Sequence, residues 1–152
     1  MRTTSITDNR REVITSAGRE DMRANIAELE AQMMAMTDHH VTIEPVHRFA
    51  HGLYSREVTL PAGTTATGLI HGQEHICIIS KGRVLVVTDS GAQEYTAPAT
   101  LVVPRGRKNC VHAIEETVWT TVHATRAKSV ADAEAALILP DYPKEPVMLG
   151  AA

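Results

Sequence analysis

Aromatic side chains are almost missing from this chain, with one Trp, one Phe and three Tyr among 152 residues. So thin a set gives little sign of a surface on which a flat ligand would stack. Cysteine is nearly as scarce. The two thiols, Cys77 and Cys110, make no disulfide framework and fall in strand-like segments, where they read as reduced core thiols of a protein made in a cytoplasm. No apolar run approaches the ~20 residues a membrane helix needs. The opening residues Met1-Arg2-Thr3-Thr4-Ser5 carry no apolar leader, so neither a membrane nor a secretory role is expected. A net charge of −3 is not that of a nucleic-acid-binding surface. The most basic run, Arg105 to Lys108, reads as a solvated turn. A glycine-rich phosphate loop, a nucleophile elbow and a paired-cysteine zinc motif are all absent.

What is present divides by composition into three regions. Residues 1–40 are polar and helix-leaning, an N-terminal arm and helix. Within them Met22, Ile26, Leu29, Met33 and Met36 recur at alternating helical spacings, a narrow stripe of the kind that forms a seam. That stripe suits a helix lying across its own body or an arm that docks on a neighbouring subunit. Residues 1–16 show no periodic pattern and are expected to be mobile when free. Residues 127–152 hold a short helix over Ala131 to Leu139, capped by Ser129 and ended by Pro140, then an extended tail spaced by proline.

The middle region, 41–126, is rich in Val, Ile and Thr and broken by turn residues. Strands are expected near 53–60, 67–70, 75–80, 83–88, 93–97, 100–104, 109–114 and 117–125. Turn signals recurring at this pitch predict an all-β sandwich or barrel rather than βαβ units. The apolar runs Ile76–Ile79 and Val84–Val87 suggest strands covered on both faces, with the terminal helices as covers.

Histidine supplies the candidate chemistry. Alternation places His75 with Cys77 and Ile79, Cys110 with His112, and Trp119 with His123, each on one strand face. If those faces are interior, His71, His75, His112 and His123 crowd one cavity together with both thiols. Three imidazoles there suit a divalent transition metal, Fe, Mn, Ni or Zn. His71, His75 and His112 are the candidate ligands, with Glu74 and His123 as supporting or general-base groups. A purely structural polar cluster is the competing reading. His39 and His40 are expected to bind nothing, and His47 and His51 have no partner that the sequence reveals.

The stretch Gly68-Leu69-Ile70-His71-Gly72-Gln73-Glu74-His75 through Gly82, followed by Pro104-Arg105-Gly106, resembles the cupin family over roughly residues 53–125. The resemblance implies a cupin-like β-barrel of jelly-roll type. It implies a metal less well. His71 falls at the second histidine of the first motif, Leu69 replaces the first, and His75 stands in the place of the glutamate. In the second motif Asn109 occupies the histidine position. Ala97-Pro98-Ala99-Thr100 and Glu116-Thr117-Val118-Trp119-Thr120-Thr121-Val122-His123 look like a group of small cupin-like proteins of tailed bacteriophages.

That second resemblance implies a virion structural protein of the head, collar or tail, built on a non-catalytic barrel and needing no cofactor. Its partners would be copies of itself and other virion proteins, with no nucleic acid and no membrane, and it would be made in the host cytoplasm. The Met22–Met36 stripe would then be its assembly seam, and a homo-oligomer built by that seam or by sheet edges is expected. The alternative is a metal-dependent cupin enzyme, a dioxygenase, isomerase or lyase acting on a small polar substrate through His71, His75 and His112. A non-catalytic sensing or sugar-binding barrel is a third reading.

Overall fold

A computed structural model describes residues 16–139 and 147–150. The chain opens with helix α1, Ser16–Ala35, whose sequence has a single β-branched residue, Ile26, among good helix formers. A short 3₁₀ turn, Thr37–His39, follows. Nine strands come next: β1 Val46–Ala50, β2 Leu53–Leu60, β3 Thr65–Thr67, β4 His75–Lys81, β5 Arg83–Thr88, β6 Gly91–Thr96, β7 Ala99–Val103, β8 Asn109–Ala113 and β9 Thr117–Ala124. Helix α2, Val130–Leu137, and strand β10, Val147–Leu149, complete the order.

The strands form two five-stranded antiparallel sheets, ordered β1-β2-β9-β4-β7 and β10-β3-β8-β5-β6. Their facing sides meet in a core of Val58, Leu60, Ala66, Cys77, Ile79, Val84, Val86, Val103, Val111 and Ala113. The expected all-β architecture with helical ends is what the chain adopts, as two antiparallel sheets packed face to face. The third strand lies slightly earlier than its expected span, at Thr65–Thr67. β10 lies inside the segment expected as an extended tail, and residues 140–146 of that segment fall outside the described residues.

Gly82 makes the tight link between β4 and β5 at φ +88°. A β-carbon there would run into the backbone carbonyl of Glu116, so this corner needs glycine on two counts.

Helix α1 contacts β10 and β5. Ile26, Glu30 and Met33 are buried within the single chain, whereas Leu29 and Met36 are exposed. Met22 is partly covered. The seam stripe is thus divided: two of its members are covered within this chain and two face solvent. A charged contact fixes the same face. Lys108 pairs with Glu30 and donates from Nζ to the Gly68 carbonyl at 2.9 Å, and both side chains are almost fully buried. No helix among the described residues is long and apolar enough to cross a membrane.

Helix α2 begins as its sequence suggests, with the Ser129 hydroxyl accepting from the Asp132 amide at 3.2 Å. Its Ala133 and Leu137 pack on Tyr54. Past the helix, the Leu139 amide donates to the Ile70 carbonyl at 3.0 Å, and the Gly72 amide donates to the Leu137 carbonyl at 2.7 Å. Ile138 bridges His71. The C-terminal helix and the residues after it therefore clamp the loop that joins β3 to β4.

Candidate functional site

That loop carries His71, and the clamp holds it over one end of the barrel. The Gly106 amide, donating to the His71 carbonyl at 2.9 Å, fixes the loop from its other side. His75 opens β4 on the face that continues inward through Cys77 and Ile79, both fully buried. His123 sits near the end of β9, opposite Tyr54 of β2. These placements bring three imidazoles into mutual contact. Ring centroids lie 4.6 Å apart for His71–His75, 4.6 Å for His71–His123 and 4.4 Å for His75–His123.

His112, expected as the third ligand, is not among them. In β8 Val111 and Ala113 belong to the barrel core, so strand alternation turns His112 to the opposite face. There its Nδ1 shares a hydrogen bond with the Thr65 hydroxyl at 2.8 Å. His123, expected as a supporting group, occupies the cluster itself. Glu74 is exposed. Cys77 lies one inward-facing position below His75, and Cys110 lies on the face of β8 that carries His112.

Beside His123 runs a short row of aromatic rings that the sequence did not announce. Tyr54 stacks beside His123 at 6.1 Å, with Phe49 beyond it at 5.0 Å from Tyr54. The Tyr54 hydroxyl and His47 Nδ1 are hydrogen-bonded at 2.8 Å. The register of β1 against β2, which sets Phe49 beside Tyr54, brings His47 and Phe49 to Tyr54. Nothing in the isolated β1 segment signals this. His40 is likewise partnered, through Nε2 to the Met33 carbonyl at 2.7 Å.

Burial sets the electrostatics. It pushes His71 down to about 3, aided by the neighbouring His123 and His75 and then by the Arg56 charge. It pushes His123 down to about 4, with His75 contributing. His75 is also lowered by burial, partly offset by its bond to the Gln73 carbonyl. A carbonyl can only accept, so the 3.2 Å contact from His75 Nδ1 to that oxygen places the proton on Nδ1 and leaves Nε2 as a lone-pair donor. All three rings are therefore neutral at pH 7.

The fold implies a test of metal chemistry here. As the rings stand, no group of three or more His, Cys, Asp or Glu side chains among the described residues is arranged to hold a metal ion. The donor set itself suits one. Neutral imidazole is the form that ligates, and a ring anchored to a carbonyl through its second nitrogen is a common support for such a ligand. His123 Nδ1 is buried with no hydrogen-bond partner. A buried polar atom left in that state costs about 1–3 kcal/mol, and coordination would remove the penalty. The donor types suit a metal ion; their arrangement as it stands does not.

Comparison with known proteins finds similarity to solved structures only at low identity. No family model and no curated protein matches the sequence. Among solved structures, a cupin 2 conserved barrel domain protein from Salinispora arenicola shares 17% identity at a TM-score of 0.46, over 53% of this chain and 73% of that one. A cupin-2 domain containing protein from Shewanella frigidimarina shares 13% at 0.46, over 62% and 91%. KdgF from Halomonas sp. shares 14% at 0.49, over 56% and 82%. At such identities the likeness concerns fold alone. Nothing in these comparisons indicates a phage origin.

Proposed function

We propose that this protein is a binding barrel whose centre is the His71–His75–His123 cluster, and that the group it takes is a divalent transition metal ion. The observation that carries this reading is the mutual contact of three imidazoles, one of them with a buried, unpartnered nitrogen. His71, His75 and His123 would hold the ion, which when bound supplies a Lewis acid. Among the chain's own residues, Gln73 orients His75 through its carbonyl and Tyr54 stacks beside His123. No catalytic step is assigned to the cluster.

The test is metal retention. Protein loaded with Co²⁺, Ni²⁺ or Zn²⁺ and desalted is expected to keep about one ion per chain by elemental analysis, with a cobalt absorption band typical of nitrogen ligation. His71→Ala and His123→Ala should each weaken binding by at least about tenfold, while His112→Ala should not. Wild-type protein that retains nothing, or that retains metal through His112 instead, sinks the proposal.

The virion structural role is a second reading, favoured by a separate observation. Leu29 and Met34 of helix α1, and Met36 just past its end, are exposed while the opposite face is docked. Large apolar side chains on a solvent face suit contact with another protein. On this reading Leu29→Glu with Met36→Glu keeps the fold but abolishes incorporation into particles. Unchanged incorporation would remove the role of the helix.

A further inference from the structure

One cation on the inner face of the first sheet lacks a counter-ion among the described residues. Tyr54, Arg56, Val58 and Leu60 share one face of β2, and Val58 and Leu60 belong to the core while Tyr54 stacks beside His123. Arg56 therefore faces inward, next along the strand from Tyr54. The ladders set it opposite Thr121 of β9, which is next to His123 on that strand's inward face, and opposite His47 of β1. No carboxylate of the described residues forms an ion pair with it. The acid whose charge reaches it is Glu134, on the exposed side of α2. Burial lowers the Arg56 pKa from its ordinary value, with Tyr54 and Glu134 opposing. A guanidinium keeps its proton at neutral pH all the same, so the charge stays. A cation partly withdrawn from water without a partner is unfavourable, and an anion bound beside it relieves that.

The same end of the fold carries acceptors that lack a donor. Asn109 opens β8 on the face that continues through Val111 and Ala113, both in the core, so it too looks inward. The loop entering β8 is bonded through the Gly106 amide to the His71 carbonyl, which puts Asn109 at the histidine end. Its Oδ1 is buried with no hydrogen-bond partner, and so is Oε1 of Gln73 in the loop before β4. An unsatisfied acceptor calls for an N–H or O–H group.

We infer that the space between these groups takes a small organic carboxylate that bears a hydroxyl group. The carboxylate pairs with the Arg56 guanidinium, whose planar fork matches its two oxygens, and Thr121 lies beside it. The ligand hydroxyl donates to an acceptor of Asn109 or Gln73. Sulfate would satisfy the cation but carries no proton for the acceptors. The inference rests on the reading of the histidine cluster as a binding centre and adds the class of ligand, but it needs no metal ion.

The test is an NMR titration of the full chain, stripped of metal, with 3-hydroxybutyrate at neutral pH. Trp119, the chain's one tryptophan, shares the inward face of β9 with Thr121, so its indole N–H signal is a local reporter. Saturable shifts of that signal and of the Thr121 amide are expected, with a dissociation constant below about 10 mM. Butyrate lacks the hydroxyl and 3-hydroxybutanamide lacks the charge, and each should bind at least about fivefold more weakly. Arg56→Gln should weaken binding at least about tenfold and Arg56→Lys less, with thermal melts showing that the fold is kept. Glu134→Gln, at an exposed position, should tighten binding about twofold. No saturable binding, equal binding of 3-hydroxybutanamide, or unchanged binding in Arg56→Gln would overturn the inference. If Arg56→Gln fails to fold, weakening in Arg56→Lys and tightening in Glu134→Gln decide it. Because the titration is made without metal, a protein that retains an ion but no hydroxy acid refutes this inference alone.

Discussion

Cys77 and Cys110 differ from free thiols because each lies where water hardly reaches. Burial raises the Cys77 thiol well above its usual range. It raises Cys110 to about 11, with the Lys108 charge opposing and the Glu30 charge reinforcing the shift. The thiolate is the reactive form, so a raised pKa removes the nucleophile at ordinary pH. The folded protein should accordingly leave both thiols unlabelled by a disulfide reagent at pH 8, with both reacting in denaturant. The Cys110 rate should climb only as pH approaches 11, and rapid labelling of native protein at pH 8 would contradict the placement of both side chains. The same cause, applied to imidazole, works in the opposite sense: burial lowers His71 and His123, because the form it penalises is the cation.

Helix α1 is held by two different kinds of contact. Ile26 and Met33 supply apolar burial, and Glu30 between them meets Lys108 away from solvent. A buried pair of this sort is costly to break from one side, because the survivor stays desolvated and uncompensated. Lys108→Met alone should therefore destabilise the protein by about 3–5 kcal/mol, whereas Lys108→Met combined with Glu30→Leu should recover most of that loss. Chemical denaturation of the three proteins measures the difference. Additive losses in the double variant would mean that the pair contributes through packing, not charge. β8 belongs to the same argument. Its outward Cys110 and His112 lie on the sheet that α1 crosses, so both of its faces are at least partly covered.

At the scale of the whole molecule, that double coverage explains where the sequence was readable and where it was not. Turn residues at regular intervals marked the barrel, and Gly82 marked the β4–β5 corner, because these are local demands of backbone geometry. His75 and His123 could be placed inward by alternation along β4 and β9, since each shares its face with residues that point to the core. His112 could not. In Asn109-Cys110-Val111-His112-Ala113 apolar residues occur on both faces, and the pattern holds no sign of which one looks inward. His47 and Tyr54 meet through the register of β1 on β2, a non-local fact that spacing along the chain does not carry. The stripe on α1 was visible, but its division between a buried and an exposed half depended on the barrel beneath it.

The segment that leaves α1 is stitched to the last described strand. The Val41 amide donates to the Met148 carbonyl at 3.3 Å, and the Gly150 amide donates to the His39 carbonyl at 3.1 Å, while β10 lies against β3. Release of that short final strand would strip hydrogen bonds from the connection leaving α1 and uncover part of the surface on which the helix rests. The connection after α1 and the β10 strand thus behave as one cooperative flap: what loosens either loosens both.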